Sequence, residues 1–412
     1  MKRRVIVVGG GAAGMMAAIT AAKEGAEVTI LEHNERIGKK ILSTGNGRCN
    51  FTNEYQTPLD YRSDEEVFPW KVISRFPYEE TMLFFEELGI IGKKKNGGLY
   101  PFSEQASAVL DVLRMEVERC KVTVYTGLDV KEIQVTRKGF RVVGITNELG
   151  KQTFHGDTLI LATGSKAAPK LGSDGSGYTL AKSLGHSMIP VVPALVQLEC
   201  SENFYKALAG VRVHGKVTML VDDKAVADDT GEIQLTDYGI SGIPVFQVSR
   251  FASRGLYEKR KVEAELDFMP DISEEAFETY LKKRISDRPD KKMEMFFIGV
   301  FHKKLSQVFL KRADIRPEKE AGMLTKYERQ RLVQTVKKFR TTIRATKSFE
   351  QAQICAGGVS TKELYAENME SRLVKGLFFA GELVDVDGIC GGYNLQWAWS
   401  SGYVAGKGAA NA

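Results

Sequence analysis

Cysteine is scarce and poorly placed for chemistry that needs pairs. Cys49, Cys120, Cys200, Cys355 and Cys390 are odd in number, far apart and include no CxxC. That spacing excludes a disulfide framework, a thiolate zinc site and a dithiol redox centre, and a reducing cytosol is the expected compartment. Histidine is as sparse. His155, His186, His214 and His302 each stand without a second histidine or a carboxylate at ligand spacing, so no metal is expected. Only 11 prolines accompany 40 glycines and no Gly-X-Y period exists, which excludes collagen-like and low-complexity chains. There is no G-x-S-x-G, HExxH or P-loop motif and no internal repeat. One apolar run, Val5 to Ala22, follows Lys2-Arg3-Arg4 in the manner of a signal peptide. Gly9, Gly10, Gly11 and Gly14 interrupt it, and Glu24-Gly25 leads into another strand-like segment instead of a cleavage region. Neither a signal peptide nor a membrane span is expected.

What is present is glycine in patterned places. Four fall at Gly9, Gly10, Gly11 and Gly14 and ten between Gly357 and Gly408, but residues 256–356 hold only Gly299 and Gly322. With 43% hydrophobic residues over 412, the chain can bury large cores in two or three domains. The net charge of +6 is uneven: Lys282 to Lys347 carries 20 Lys+Arg against 7 Asp+Glu. Such a segment can face an anionic partner, but a solvated helix face is the simpler reading, and nucleic acid is not expected as a partner.

Along the chain, Arg4 to Val8 reads as a buried parallel strand, Ala12 to Lys23 as an alanine-rich helix closed by Gly25, and Val28 to Leu31 as a second strand. Together they form a right-handed βαβ unit. Lys71 to Leu88 and Ala106 to Cys120 read as helices; Lys121 to Tyr125, Phe140 to Thr146 and Thr158 to Ala162 read as strands. From Pro190 to Asp267, short alternating runs at Val211 to Val213, Val217 to Val221 and Val262 to Leu266 suggest an antiparallel sheet or small barrel. Ser273 to about Phe339 reads as basic helices with Asp271 and Ser273 as candidate caps. Leu377 to Ala380 is a strand and Asn394 to Ala405 a helix. The expected fold is α/β: a Rossmann-type domain formed by residues 1–190 and 348–412, an inserted antiparallel β domain (191–270 and about 338–347), and a small basic helical domain (271–337).

The residues Gly9-Gly-Gly11-Ala12-Ala13-Gly14 form G-x-G-x-x-G between a strand and a helix, with Glu32 18 residues beyond Gly14 at the end of the next strand. Gly9 permits the tight turn, Gly11 lets backbone approach a pyrophosphate, and Gly14 lets helix and strand pack closely. The helix N-terminus adds N–H donors and a positive dipole end. A carboxylate at Glu32 accepts ribose hydroxyls and repels a 2′-phosphate, which points to FAD or NAD rather than NADP. His33, beside it, belongs near the adenosine.

The stretch Gly38-Lys39-Lys40-Ile-Leu-Ser43-Thr-Gly45-Asn46-Gly47-Arg48-Cys49-Asn50-Phe-Thr52-Asn53 resembles the signature of BaiN-like flavoproteins, the aminoacetone-oxidase family. Ala162-Thr163-Gly164, Ala356-Gly357-Gly358-Val359, Phe379-Ala380-Gly381-Glu382 and Gly391-Gly392-Tyr393-Asn394-Leu395-Gln396 match in order, so the resemblance runs end to end. It departs at Gly164-Ser165, where a second glycine is usual, and at Leu171 to Gly177. The resemblance implies non-covalent FAD in a two-dinucleotide-domain-like fold. It assigns Lys39, Gly45, Asn46, Gly47, Arg48 and Asn50 to the cofactor, with Arg48 as a positioning residue, and it places Val130 against the adenine. Ala162, Thr163 and Gly164 bring backbone beside the dinucleotide, and Glu382 after Gly381 suits ribityl hydroxyls. Gly391, Gly392, Tyr393, Asn394 and Leu395 open a helix whose positive end faces the flavin and stabilises negative charge on its reduced form.

The resemblance further implies an FAD-dependent oxidoreductase acting on a small molecule. The expected reaction is NADH-linked reduction of a C=C conjugated to a ketone, as in a 3-oxo bile acid, or oxidation of a small amino ketone. NADH would bind transiently, because no second dinucleotide fingerprint is present. Two other readings are a tRNA-modifying flavoprotein and a non-catalytic flavin sensor. No catalytic side chain is assigned. Cys390 and Cys49 read as small spacers, Tyr393 as a packing and capping residue, and Trp397 and Trp399, two apart, cannot share a helix face.

Overall fold

The computed structural model describes residues 2–146 and 148–412. They form two compact units, 1–191 with 353–412, and 192–352.

In the first unit, β1 (Arg4–Val8), α1 (Ala12–Lys23) and β2 (Glu27–Leu31) build the expected βαβ. The parallel sheet is completed by β3 (Thr123–Tyr125), β4 (Thr158–Leu161) and β5 (Leu377–Phe379), in the order β5-β4-β1-β2-β3. β1 shows no in-out alternation because both faces are covered: Val5 to Val8 are all buried. α1 is buried from Ala13 to Ala21, which explains its alanines. Its partner is α2 (Tyr393–Asn411). A Cβ on Gly402 would lie 2.5 Å from Ala13 O, and one on Gly406 would lie 2.3 Å from Ala17 O. The two backbones therefore touch. Because the contact advances from 13 to 17 as it advances from 402 to 406, the helices run parallel.

The reading of Lys71 to Leu88 as one helix needs correction. There are two, Phe68–Ile73 and Tyr78–Glu87, separated at Pro77, which precedes the second and cannot continue the first. Trp397 and Trp399 are both fully buried; their indole N–H groups donate to Gly381 O (3.0 Å) and Phe51 O (2.8 Å).

The second unit holds a closed barrel of six strands: Leu198–Cys200, Gly239–Ser241, Lys224–Leu235, Val211–Val221, Val262–Asp267 and Phe339–Thr346. The two runs read separately at 211–213 and 217–221 are one strand passing through Gly215. The β texture hid a helix, Ile243–Tyr257, whose Val245, Val248, Ser249 and Ala252 form a buried stripe at helical spacing. The basic helices Glu274–Asp287, Lys303–Arg312 and Lys326–Lys337 share one hydrophobic cluster with the barrel, through Phe277, Phe309, Val336 and Phe339. Ser273 caps the first, accepting from Ala276 N at 3.2 Å. Asp271 instead lies 3.6 Å from His214.

Candidate functional site

The first glycine turn is shaped by collisions that any side chain would make. Gly9 has φ +100°, and a Cβ there would sit 2.4 Å from Ala162 O; at Gly14 it would sit 1.9 Å from Gly9 O. Gly11 differs. An added Cβ would meet nothing within 4 Å among the described residues, so this face of the turn is open. α1 begins on Gly11 without a side-chain cap, leaving its first N–H groups for a ligand. Glu32 is buried; its Oε2 accepts from Gly10 N (2.7 Å), and its Oε1 accepts from Asn34 N (2.8 Å) and Nδ2 (2.6 Å). The carboxylate is thus fixed at the end of β2. Gly9, Glu32, His33, Val130 and Thr163 line one cleft there, closed on another side by Ser176. The Thr163 hydroxyl is buried without a hydrogen-bond partner among the described residues.

The second glycine cluster is held by distant parts of the chain. Gly381 (φ +72°) backs onto α1, where its Cβ would lie 2.8 Å from that of Ala13. Glu382 Oε2 accepts from Lys40 Nζ (2.8 Å) and Ser165 Oγ (2.9 Å). Lys40, which makes this contact, is half-buried; Lys39, the residue of the sequence expectation, is exposed. Ser165, the departure from the family pattern, contributes the second hydrogen bond. Gly391 and Gly392 have φ +121° and +100°; Gly391 O accepts from Asn53 Nδ2 (2.9 Å), and a Cβ on Gly392 would strike Thr52 O at 2.5 Å. Asn394 locks the turn by accepting from Gly388 N (2.8 Å) and donating to Gly388 O (3.0 Å). The Tyr393 hydroxyl donates to Tyr55 O (2.7 Å), and burial pushes its phenol up to about 12. That hydroxyl clasps the turn to the backbone at Tyr55. Leu395 is partly buried against the core. α2 starts on Gly392 without a side-chain cap, as α1 does on Gly11.

Between these ends lies the Gly45 to Asn50 loop, with Gly45, Asn46, Gly47 and Cys49 all at positive φ. Asn46, Gly47 and Arg48 are exposed, and the Arg48 guanidinium lies 3.7 Å from Glu104. Asn50 is wedged beside Gly98 and Gly392, its Oδ1 buried and unpaired among the described residues. Cys49 and Cys355 are buried, which pushes their thiols up to about 12 and about 11 and makes them inert spacers.

Because Gly402 is level with Ala13, α2 begins about 12 Å along the common axis before α1 does, at a 1.5 Å rise per residue. Two uncapped helix starts thus present positive ends in the same direction, one beside a cleft with a fixed carboxylate. The open Gly11 face, the unpaired Thr163 and Asn50 oxygens and the anchored Glu32 and Glu382 fit an extended dinucleotide cofactor.

His186 has partners far along the chain that its sequence neighbourhood does not reveal. Nδ1 lies 2.9 Å from Glu363 Oε2 and Nε2 2.9 Å from Ser371 Oγ. The array mimics a hydrolytic triad, but His186 and Ser371 are buried and Ser371 Oγ also accepts from Leu373 N (3.0 Å) and Val374 N (2.9 Å), so it clamps the approach to β5. No group of three or more potential metal ligands occurs among the described residues. No helix among them is long and apolar enough to cross a membrane.

Residues 3–408 match the family described as HI0933-like protein Rossmann domain. The chain is 46% identical over 413 residues to a 3-dehydro-bile acid delta(4,6)-reductase of Clostridium scindens, covering 99% of each protein. It is 30% identical over 405 residues to a ribosomal RNA dihydrouridine synthase of Escherichia coli, covering 98% of this chain and 96% of that one. A solved 3-ketosteroid-delta4-(5alpha)-dehydrogenase of Rhodococcus jostii aligns over 99% of this chain and 97% of its own, with a TM-score of 0.48 and 14% identity. The chain belongs to the HI0933-like, BaiN-like Rossmann family and is an FAD-dependent oxidoreductase.

Proposed function

We propose that the chain reduces a C=C bond conjugated to a ketone in a 3-oxo steroid- or bile-acid-like molecule, with NADH as a transient electron donor. The observation that carries this reading is the 46% identity with the bile acid reductase, continuous over 99% of both proteins. The site residues support it. FAD, when bound, supplies a carrier for a hydride between donor and acceptor. Gly11 and the first turn of α1 receive the pyrophosphate, Glu32 the adenosine ribose, and Glu382, held by Lys40 and Ser165, the ribityl chain. The Gly392 end of α2 offers a positive pole to negative charge at the ring.

A second substrate, an RNA uracil, is favoured by the 30% identity with the dihydrouridine synthase over nearly the whole chain. Uracil also has a C=C conjugated to a carbonyl, so the same chemistry serves both.

The test is anaerobic. FAD-loaded protein should bleach with NADH, and a 3-oxo-Δ4 steroid should restore the colour while gaining two hydrogens by mass. Failure of every enone tried to restore the colour, combined with dihydrouridine formed in RNA or with flavin bleaching by an amino ketone, would move the assignment to those substrates.

A further inference from the structure

The basic stretch 282–347 has no role in the site described above, and several of its cations are paired with carboxylates nearby. Lys337 Nζ lies 2.7 Å from Asp267, Lys319 2.6 Å from Glu328, Arg340 2.8 Å from Glu265 and Lys347 2.9 Å from Glu199. One surface gathers three cations around an exposed aromatic ring. Where the Lys303–Arg312 helix ends against the Lys326–Lys337 helix, a groove is lined by Arg312, Tyr327, Gln330, Arg331, Gln334 and Lys338, with buried Phe339 as its floor. Tyr327, Gln330, Arg331 and Gln334 recur at intervals of three and four and so share one helix face.

The two guanidiniums are fixed mainly by neutral groups. Arg312 lies 4.2 Å from the Phe339 ring centroid and donates from Nη1 to Arg340 O (2.9 Å). Arg331 donates from Nη2 to Arg312 O (3.1 Å) and lies 5.6 Å from the Tyr327 ring. Carbonyls and rings orient the charge without cancelling it, and N–H donors remain on both. The nearby carboxylates bear on Lys338 and, weakly, on Arg331. Glu274 engages Lys338 and Gln334, and Asp314, 86% exposed, lies 3.7 Å from Arg331, a distance at which solvent screens the pair. Among the described residues Arg312 has carbonyl and ring partners and no ion pair, which leaves the guanidinium end of the groove positive. Tyr327 is 66% exposed and offers a free aromatic face.

We propose that this groove binds a nucleotide, the phosphate on Arg312 and Arg331 and the ring against Tyr327, with the Gln330 and Gln334 amides along the ring edge. Rigid guanidiniums beside an exposed ring, flanked by amides that both donate and accept, match the chemistry of an unpaired nucleotide. A single RNA strand and a free nucleotide share that chemistry. The site is independent of the reaction proposed above.

The test uses full-length, FAD-loaded protein at about 50 mM salt, with a fluorescent RNA strand of about 12 nucleotides and AMP as competitor. The strand should bind. Arg331→Gln should weaken it roughly tenfold and flatten its salt dependence by about one phosphate. Tyr327→Ala should cost roughly tenfold while Tyr327→Phe retains binding. All three variants should keep the flavin spectrum and enone turnover, which separates this groove from the flavin site. Displacement by AMP marks a free-nucleotide site; a strand that resists millimolar AMP marks an RNA site. Equal binding by wild type and all variants, or no binding of either probe, overturns the proposal.

Discussion

α1 and α2 both begin on a bare glycine, yet Gly11 and Gly392 reach that state by different routes. The Gly11 turn is built inside one βαβ unit. Gly9 and Gly14 are forced by contacts with each other and with Ala162, just past β4, and Gly11 is left open. The Gly392 turn is seated on residues some 338 positions away in sequence: Asn53 holds Gly391, and Tyr55 holds Tyr393. The first is local geometry that glycine spacing alone specifies. The second exists only once the chain has closed on itself, and α1 against α2 makes that closure. The contrast implies that a side chain at Gly9 or Gly14 should act through packing, whereas damage to the second turn should act through positioning.

Gly14→Ala should have the largest effect. Its Cβ would fall 1.9 Å from Gly9 O with no flexible neighbour to yield. A destabilisation of about 3 kcal/mol with loss of bound FAD is expected by denaturant melting and flavin absorbance. Lys40→Met should leave Glu382 with Ser165 as its remaining hydrogen-bond partner, raising the FAD dissociation constant about tenfold. Lys39→Met, at an exposed position, should leave it within about twofold, and titration of apoprotein with FAD separates the two. Asn53→Ala removes the donor to Gly391 O and should cost about 1 kcal/mol. Because it acts on the α2 start, it should also shift the flavin midpoint potential, which redox titration reads.

The smallest expected effect is a pH dependence at the clamp near β5. Burial depresses the His186 pKa below 6.5, and Glu363 only partly opposes this. The unfolded chain therefore takes up its proton first as pH falls. The contribution of His186 to stability is complete above about pH 6.5 and is lost as pH falls through its folded value. Melting temperature should fall as pH is lowered below about 6.5, and His186→Gln should reduce that fall.

The βαβ start, the strand order's raw material and the glycines that shape both turns were legible, because each depends on residues within one or two elements. Helix 243–257 was hidden, since its apolar stripe lies among strands of similar composition. Lys39 and Lys40 are adjacent and chemically identical; only the short helical turn that carries them decides which one reaches Glu382. The partners of His186 lie 177 and 185 residues away, beyond any local pattern. The barrel and the basic helices read as separate textures, but Phe277, Phe309 and Phe339 place both in one core.

The most direct measurement is FAD affinity and apoprotein melting in Gly11→Asp. Gly11 sits at φ −76°, ψ −168°, an extended conformation that aspartate accepts, and nothing among the described residues crowds its Cβ. Aspartate is a good cap, so the apoprotein should melt at or slightly above the wild-type temperature. The same carboxylate would occupy the open face and repel a pyrophosphate, so FAD binding should fall by at least about a hundredfold. Wild-type FAD affinity in a normally folded Gly11→Asp protein would contradict the assignment of this helix start to the cofactor.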